Sequence, residues 1–409
     1  MRTIIRAAQI FDGVSPMLRS GAIVVDGQRI TQVAYGDDVL ADETGDLEID
    51  AAGRTLMPGL VEAHAHLTWG SSVEKIYHQF VLPPEELKIA AWRNARVLLD
   101  YGFTSAYSAG ALGDGIEVEL AHAIEAGETP GPRLIPSTLE RSPEGAEGIE
   151  TGDVFNGRGP EAITRFVAYC KDQGVGSIKL VISGEDALKP GTAKDINYTA
   201  DEMEAAGEAA RASGLWIATH AYYPEAIRLA LKAGARIIYH ASYADAEAVD
   251  AMVAAKDRIF YAPSPGVSIA ALEATPPPHI DMSHMKASAT ERMALESKLV
   301  PALKAQGVRI LIGGDYGFPF NPNGRNARDM QIFVEHFGYT PAEAMTAATK
   351  LGGELMGLDV GQVKEGFLAD LLLVDGDPTA DVAILQDKNR LAMIMKDGAL
   401  YKAPGAASA

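Results

Sequence analysis

Apolar residues follow two different spacings along most of the chain. From Thr55 to about Gly357, short runs rich in valine and isoleucine precede longer stretches with apolar residues at helical intervals. The first pattern is typical of strands buried on both faces, and the second of amphipathic helices. The predicted strands are Thr55–His66, Phe103–Ala109, Pro132–Pro136, Ser177–Ser183, Leu215–Ala221, Arg236–Ser242, Ile259–Pro263 and Arg309–Asp315.

Helices are predicted between these strands and after the last one. They cover Glu85–Tyr101, Ile116–Ala126, Pro160–Gln173, Asp201–Ala212, Glu225–Ala233, Ala246–Ala255, Thr290–Ala305 and Ala327–Phe337. Many of them stop at a glycine, such as Gly102, Gly174 or Gly214, which is the usual residue just beyond a helix C-terminus. This succession of strand–helix units predicts an α/β fold, a closed parallel (β/α)8 barrel of the TIM type. On pattern alone, a doubly wound open sheet remains the alternative.

The two ends of the chain have a different pattern. Thr3–Ala34 contains short alternating strands with turn residues at Asp12–Gly13 and Asp26–Gly27, and Gly361–Tyr401 repeats this character. We therefore expect the two β-rich ends to pair with each other. The predicted domains are a small β-sandwich from residues 1–54 and 358–409, and a catalytic barrel from residues 55–357.

Two predicted connections are long for an α/β unit, namely Thr138–Gly157 and Gly266–Ser288. Long loops at the carboxyl end of strands often contact substrate or act as lids, so both are candidates for these roles. A surface excursion or an oligomer contact is an equally open explanation. His279 and His284 lie in the second loop and are candidate substrate contacts.

Composition and charge narrow the range of partners. Of the 409 residues, 47% are hydrophobic and 22% charged, as in ordinary globular proteins. The net charge of −19 disfavours nucleic acids and anionic membranes, whose binding depends on lysine and arginine. The single cysteine, Cys170, excludes an intramolecular disulfide, and neither a signal-peptide pattern nor a membrane-length apolar run occurs. We expect a cytoplasmic protein that acts on a small-molecule substrate.

Side chains that can bind a metal end several of the predicted strands. His64 and His66 are two positions apart, so both imidazoles point to the same face of the first strand. His220, His240 and Asp315 end the fifth, sixth and eighth strands. Each residue alone could be structural, but barrel enzymes place catalysis at the carboxyl ends of their strands. Their joint occurrence therefore predicts a metal site.

A lysine lies inside the fourth predicted strand. Lys179 is flanked by Ile178 and Leu180 in an apolar run. An ammonium group is costly to bury there unless it is paired or chemically altered. The residue is therefore either an ion-paired lysine at the barrel mouth or a modified side chain.

Several segments resemble the amidohydrolase superfamily. Met57–Leu67, with the sequence MPGLVEAHAHL, resembles its first-strand signature, and Lys364–Leu371 through Lys396–Gly398 resembles its C-terminal β-sandwich motif. Ser177–Lys179 with Ser183–Gly184, and His220–Tyr222 with Pro224–Ala226, resemble one branch within it. That branch is imidazolonepropionase-like and contains Xaa-Pro dipeptidases, related carboxypeptidases and ochratoxin-degrading amidohydrolases.

The resemblance implies two divalent metal ions, usually zinc, and a role for each ligand. His64, His66 and Asp315 would hold one ion, His220 and His240 the other, and Lys179, carboxylated by CO₂, would bridge the two. A carbamate is anionic, which would remove the cost of a buried cation. Hydroxide shared by the ions would attack a carbonyl while Asp315 takes the proton and returns it to the leaving amine. A metal or Tyr222 would stabilise the oxyanion. Relatives in this branch often form homo-oligomers, so the resemblance also implies a homo-oligomer.

Two features depart from the pattern of the branch. Tyr239–Ala241 reads Tyr–His–Ala where the sixth strand usually reads Glu–His–Gly. The segment Tyr316–Arg325 is unusually aromatic. Tyr316 and Phe318 could therefore form a pocket for an aromatic or bulky group, with Arg325 as a carboxylate clamp or an ordinary loop residue.

The sequence thus predicts a hydrolase that cleaves an amide or peptide bond in a dipeptide or an N-acyl amino acid. Ring opening or deamination of a nitrogen heterocycle is the alternative reaction for the same metal site, and ester hydrolysis is a third. A non-catalytic scaffold on the same barrel is an alternative of a different class. The complete set of metal-binding residues disfavours the scaffold.

Overall fold

The computed structural model describes residues 1–36, 39–73, 82–143, 156–185 and 191–404. Its strands are β1 Arg2–Ile10, β2 Arg19–Asp26, β3 Arg29–Tyr35, β4 Leu47–Asp50, β5 Thr55–Pro58, β6 Leu60–Ala65, β7 Phe103–Ser108, β8 Arg133–Ile135, β9 Ser177–Val181, β10 Trp216–Ala221, β11 Ile237–His240, β12 Phe260–Ala262, β13 Arg309–Ile310, β14 Leu371–Val374, β15 Leu391–Lys396 and β16 Ala399–Lys402. Its helices are α1 Pro84–Asp100, α2 Ile116–Glu125, α3 Pro160–Gln173, α4 Ala200–Ser213, α5 Pro224–Ala233, α6 Ala246–Ala254, α7 Pro265–Glu273, α8 Ser283–Ala305, α9 Arg328–Phe337, α10 Pro341–Ala348 and α11 Lys350–Met356. None of these helices is long and apolar enough to span a membrane.

The chain divides into two compact units. One unit consists of Met1–Glu62, Arg96–Ser105 and Gly324–Ala409, and the other of Ala63–Ala95 and Ala106–Asn323.

Strands from both chain ends share one mixed sheet in the first unit. The strand order is β16-β15-β14-β5-β1-β2-β3, and β4 pairs with β1. The pairings of β1 with β4 and β5 are parallel, and the other neighbours run antiparallel. One face of the sheet is covered by buried residues such as Ile5, Ile23, Leu371 and Met393, which form a single apolar core.

Parallel strands form the remaining sheets. One has the order β13-β12-β11-β10-β9 and the other the order β6-β7-β8. Isolated parallel bridges continue the pairing from Arg141 to Leu180 and from Ala65 to Tyr316. The result is an α/β fold with a curled sheet. The parallel register of β10 and β11 places their carboxyl ends side by side. His220 pairs with Tyr239, and Ala221 pairs with His240.

The first predicted strand, Thr55–His66, is wrong as one element. It is two strands in different sheets, since β5 pairs with β14 and β6 pairs with β7. The change occurs at Gly59, whose amide donates to Asp370 O, whereas the Leu60 amide donates to Gly102 O. A Cβ at Gly59 would overlap the Thr104 side chain. Glycine therefore allows this close approach where the chain changes partner.

The predicted long connection Gly266–Ser288 is also wrong. It contains most of α7, and α8 begins at Ser283, seven residues before the predicted start at Thr290. The prediction failed because α7 is apolar around most of its surface, so it lacks the one-sided pattern that identifies an amphipathic helix. Ala271 of α7 packs with Met282 and Ala289 in a small apolar cluster, which ties the two helices together.

Candidate metal centre

The two histidines of the first motif are held by neighbouring polar groups. His64 lies in β6 and His66 directly after it, and both are buried. His64 Nδ1 is 2.8 Å from Ser264 Oγ, and His66 Nδ1 is 2.9 Å from Gly110 O. These contacts fix both rings and turn each Nε2 towards Asp315 Oδ1, at 3.5 Å for His64 and 3.1 Å for His66.

Asp315 is presented by a tightly shaped turn after β13. Its backbone has a φ of 61°, in the left-handed region that is strained for a residue with a side chain. Asn321 Nδ2 holds this turn by donating to Gly314 O at 3.0 Å and to Asp315 O at 2.9 Å. A Cβ at Gly313 would overlap His64, so glycine there lets the turn approach β6. This strained turn holds the Asp315 carboxylate opposite the imidazoles of His64 and His66.

These three residues form a group with metal-binding geometry. The ligand atoms of His64, His66 and Asp315 all lie within 4.8 Å of one another, and all three residues are buried. Two imidazoles and one carboxylate are a donor set that suits zinc and similar divalent ions. The residues therefore fit a metal ion.

A second pair of histidines lies beside this group. His220 is the next-to-last residue of β10 and His240 the last residue of β11, and their ring centroids are 4.5 Å apart. The His240 ring is 5.5 Å from that of His64. His240 has a φ of 72°, and its carbonyl accepts a hydrogen bond from Tyr261 OH at 2.8 Å. Strained backbone thus occurs at two of the predicted ligands, His240 and Asp315.

Lys179 is buried at the same end of the sheet. Its Nζ donates to Ala109 O at 2.8 Å and lies 4.5 Å from the centre of the Tyr239 ring. Tyr239 stacks on His64 at 3.8 Å and donates its hydroxyl to Ala63 O at 2.8 Å. The tyrosine that departs from the branch pattern thus packs between the lysine and the first histidine.

Burial controls the protonation of the histidines. It lowers the pKa of His64 and of His240 well below the ordinary value, and nearby Lys179 and other imidazoles act in the same direction. It also lowers the pKa of His220 to about 3. Burial lowers the pKa of His66 as well, but the hydrogen bond with Asp315 and the charge of Glu140 outweigh it and raise that pKa. Three of the four imidazoles are therefore neutral near pH 7, the form that binds metals.

All six predicted ligands line one cavity of about 320 Å³. The residues around it are His64, His66, Trp69, Leu82, Pro84, Leu87, Ala111, Leu112, Gly113, Leu139, Glu140, Ser142, Asn156, Lys179, Val181, Glu185, His220, His240, Asp315 and Phe318. A smaller cavity shares Glu185, Asp315 and Phe318 with it and is also lined by Tyr222 and Arg292. The structure thus brings the predicted ligands together around an accessible space with apolar walls.

Tyr222 lies beside the second histidine pair. Its ring stacks on His240 with centroids 4.5 Å apart, and its hydroxyl donates to Glu185 Oε2 at 3.1 Å. Burial raises the pKa of the Tyr222 phenol well above its usual value, with Arg292 opposing this shift. The phenol therefore remains a hydrogen-bond donor near neutral pH.

The other predicted substrate contacts lie in different places. Phe318 lines both cavities and stands 4.5 Å from the Trp69 ring, whereas Tyr316 is buried and lines neither. His279 and His284 are exposed and line neither cavity. Arg325 is partly exposed in the turn before α9, where its carbonyl accepts the Arg328 amide. Of these five residues, only Phe318 lines either of the two cavities described above.

Several lining residues were not identified from the sequence. Trp69 follows His66 by three positions, and Glu185 follows the Ser183–Gly184 pair, so proximity to a motif was their available signal. Glu140 lies in the predicted long connection Thr138–Gly157, whose length was the available signal, whereas Arg292 reaches the site from the middle of α8 and carries none. Residues 144–155 of the predicted lid Thr138–Gly157 lie outside the described residues, so its role stays a prediction.

Comparison with known proteins gives consistent matches over almost the whole chain. The model of the amidohydrolase family matches residues 55–400. Ochratoxinase from Aspergillus niger is 26% identical over 431 aligned positions, covering 98% of this chain and 87% of that protein. An imidazolonepropionase from Rubrobacter xylanophilus is 24% identical and covers 93% of this chain and 90% of its own length.

Solved structures agree in fold. A Xaa-Pro dipeptidase with methionine bound in its active site superposes with a TM-score of 0.86 at 25% identity, covering 98% of this chain and all of the other. Aspergillus niger ochratoxinase superposes with a TM-score of 0.84 at 24% identity, covering 99% of this chain and 96% of the other.

Proposed function

Because this chain belongs to the amidohydrolase family and is a hydrolase acting on carbon–nitrogen bonds, we propose that it cleaves the amide bond of a dipeptide or an N-acyl amino acid at a centre of two divalent metals. The observation that carries the proposal is the single cavity lined by all six metal-binding groups. They come from separate strand ends, which is how barrel enzymes assemble catalytic sites. A non-catalytic scaffold gives no reason to keep such a set together.

The residues divide between two ions by position. His64, His66 and Asp315 would hold one ion, and His220 and His240 the other. When bound, divalent metal ions polarise a carbonyl and lower the pKa of a shared water molecule to near neutrality. Zinc is the ion we propose, because imidazole and carboxylate ligands suit it.

Lys179 would join the two groups as a carbamate formed with CO₂. Carboxylation converts a cation in an apolar strand into an anion beside four histidines, which removes the mismatch of charge. A carbamate nitrogen keeps one hydrogen, so the bond to Ala109 O can persist while the new oxygens extend into the cavity. The position of the lysine thus supports modification.

Asp315 would transfer the proton of the reaction. Its Oδ1 faces the Nε2 atoms of His64 and His66, next to where the substrate carbonyl has to lie. We assign to Asp315 the acceptance of a proton from attacking water and its delivery to the leaving amine nitrogen. Tyr222, a donor at the border of the smaller cavity, would bind an oxygen of the substrate.

The cavity walls favour a bulky substrate group. Trp69, Leu112 and Phe318 provide apolar surface beside the metal-binding groups, as an aromatic or branched side chain requires. The likeness to a Xaa-Pro dipeptidase and to an ochratoxinase supports amide substrates over the heterocycles of imidazolonepropionases, which remain the alternative.

We also propose that the curled parallel sheets belong to a (β/α)8 barrel. The bridges from Arg141 to Leu180 and from Ala65 to Tyr316 connect the described sheets in the parallel sense that closure requires. The mixed sheet of the chain ends would be part of a small β-sandwich domain.

Hydrolysis by the zinc-loaded protein tests the proposed function. A panel of dipeptides, N-acyl amino acids and imidazolone compounds would be assayed with wild type and with Asp315→Asn. We expect cleavage of amides and a loss of kcat in the variant of about a hundredfold or more. The exposed Asp250→Asn serves as the matched control and should retain activity. Full activity of Asp315→Asn, or turnover of imidazolones alone, would refute the proposal.

A further inference from the structure

We propose that Glu140 binds the α-ammonium group of the substrate, which selects dipeptides with a free amino terminus over N-acyl amino acids. The inference rests on the proposed amide hydrolysis at the same centre. It concerns a residue that no sequence motif indicated.

Glu140 is held firmly against the wall of the larger cavity. The preceding residue, Leu139, forms a parallel bridge with Ala111, and the Ala111 amide donates to Thr138 O at 3.0 Å. Gly110 has a φ of 111°, and a Cβ there would overlap Glu140 Cγ. The backbone of the neighbouring strand end is therefore shaped to let the glutamate lie against it.

Among the residues that the structure describes, the carboxylate of Glu140 has no lysine or arginine partner. Its Oε1 is 3.5 Å from His66 Nδ1, but Gly110 O is the nearer acceptor of that nitrogen at 2.9 Å. Gly110 O can only accept, so the hydrogen on His66 Nδ1 is directed to it rather than to Glu140. Within the described ranges, neither a lysine nor an arginine lies within 4.0 Å of Glu140. The side chain of Glu140 is 23% exposed and lines the cavity.

The position of Glu140 matches the geometry of an amino-terminal residue. In a dipeptide the α-nitrogen is attached to the carbon next to the scissile carbonyl, so its partner has to lie beside the metal ligands. Glu140 does so, since it contacts one side of the His66 ring while Asp315 faces the other. Trp69, Leu87 and Leu112 line the same cavity and offer apolar surface for the side chain of that residue. An N-acyl amino acid has no ammonium and would leave the glutamate desolvated without a partner.

Matched substrates that differ only in the ammonium group test this assignment. The full-length, zinc-loaded protein would receive L-leucyl amides of glycine, proline and phenylalanine, together with the 4-methylpentanoyl amides of the same amino acids. We expect wild type to favour the leucyl series in kcat/KM by about tenfold to a hundredfold. Glu140→Gln should remove this preference, chiefly by lowering kcat/KM for the leucyl series. The exposed Glu161→Gln is the matched control and should preserve the preference.

Two further measurements show whether Glu140 binds the ammonium group or only supports the structure. They also keep this test separate from the test of amide hydrolysis. Metal content should be the same in Glu140→Gln as in wild type. Calorimetric binding of L-leucine and of 4-methylpentanoate needs no turnover, and wild type should favour leucine while the variant should not. If no amide is cleaved but this binding difference occurs, the ammonium site stands and the proposed hydrolysis fails. The assignment of Glu140 would be overturned if wild type had equal kcat/KM for both series, or if Glu140→Gln lowered kcat/KM equally for both. Loss of metal from the variant would also overturn it.

Discussion

At the scale of single residues, the candidate metal ligands could be identified from the sequence, whereas the residues that hold them could not. His64, His220 and His240 each lie within the last two residues of a strand, so period and position identify them as candidates. Ser264, which contacts His64 Nδ1, is 200 positions away in the chain and has a left-handed φ of 62°. A partner at that separation cannot be inferred from local pattern, because only the folded chain brings the segment after β12 into contact with β6.

Removing the support of His64 should weaken metal binding. In Ser264→Ala, the His64 ring loses its 2.8 Å partner at Nδ1 and becomes free to reorient. Changes of this kind cost about tenfold to a hundredfold in metal affinity. Competition with a fluorescent zinc chelator measures the effect, and Ser297→Ala, in the middle of α8, is the control. An unchanged affinity would show that Ser264 does not orient the ligand.

At the scale of elements, helices with a one-sided apolar pattern were predicted best. Pro160–Gln173 has the predicted bounds, because its buried residues, such as Ile163, Phe166 and Val167, recur on one face. The prediction of one strand over Thr55–His66 failed at Gly59. Pro58–Gly59 was a turn signal inside an otherwise apolar run. Tertiary pairing, rather than local preference, decides which sheet each half joins.

A buried carboxyl group at the start of α2 should make stability depend on pH. Glu117 accepts the Ser137 amide at 3.2 Å, and burial raises its pKa from 4.5 to about 7 against the hydrogen bond from Ser108. Because the pKa is raised in the folded state, Glu117 contributes on the order of 3 kcal/mol to the free energy of unfolding. This contribution is fully present below about pH 4.5 and is lost as pH rises through about 7.

Glu117→Gln should therefore gain thermal stability over wild type as pH rises from 5 to 8. The amide cannot ionise and so escapes the cost of a buried charge. Thermal unfolding at both pH values gives the difference in Tm, and the exposed Glu119→Gln is the control from the same helix turn. A difference in Tm that stays constant with pH would contradict the assigned cause.

At the scale of the whole molecule, the family could be predicted from the sequence, whereas the substrate could not. The resemblance to the superfamily rested on motifs near residues 57–67 and 364–398, and the family match over residues 55–400 confirms it. The net charge of −19 excluded classes of partner without naming one. Glu140, the proposed substrate contact, and Arg292 come from segments without recognisable motifs, and only the fold brings each of them to a cavity wall.

Metal removal should destabilise the unit that contains the site. Ligands from separate strands bind an ion only in the folded chain, so metal binding adds to folding stability. Chelator treatment should lower Tm by roughly 5–10 °C, and added zinc should restore it. Scanning calorimetry measures both values. A Tm that is indifferent to chelator and to zinc would contradict structural coupling between the site and the fold.

Anomalous diffraction from zinc-grown crystals would show whether the six residues hold two metal ions. We expect two peaks, one about 2.0–2.2 Å from His64, His66 and Asp315 and the other at the same distance from His220 and His240. Electron density for a carboxylated Lys179 should connect them. One peak, no peak, or zinc bound away from these residues would contradict the account.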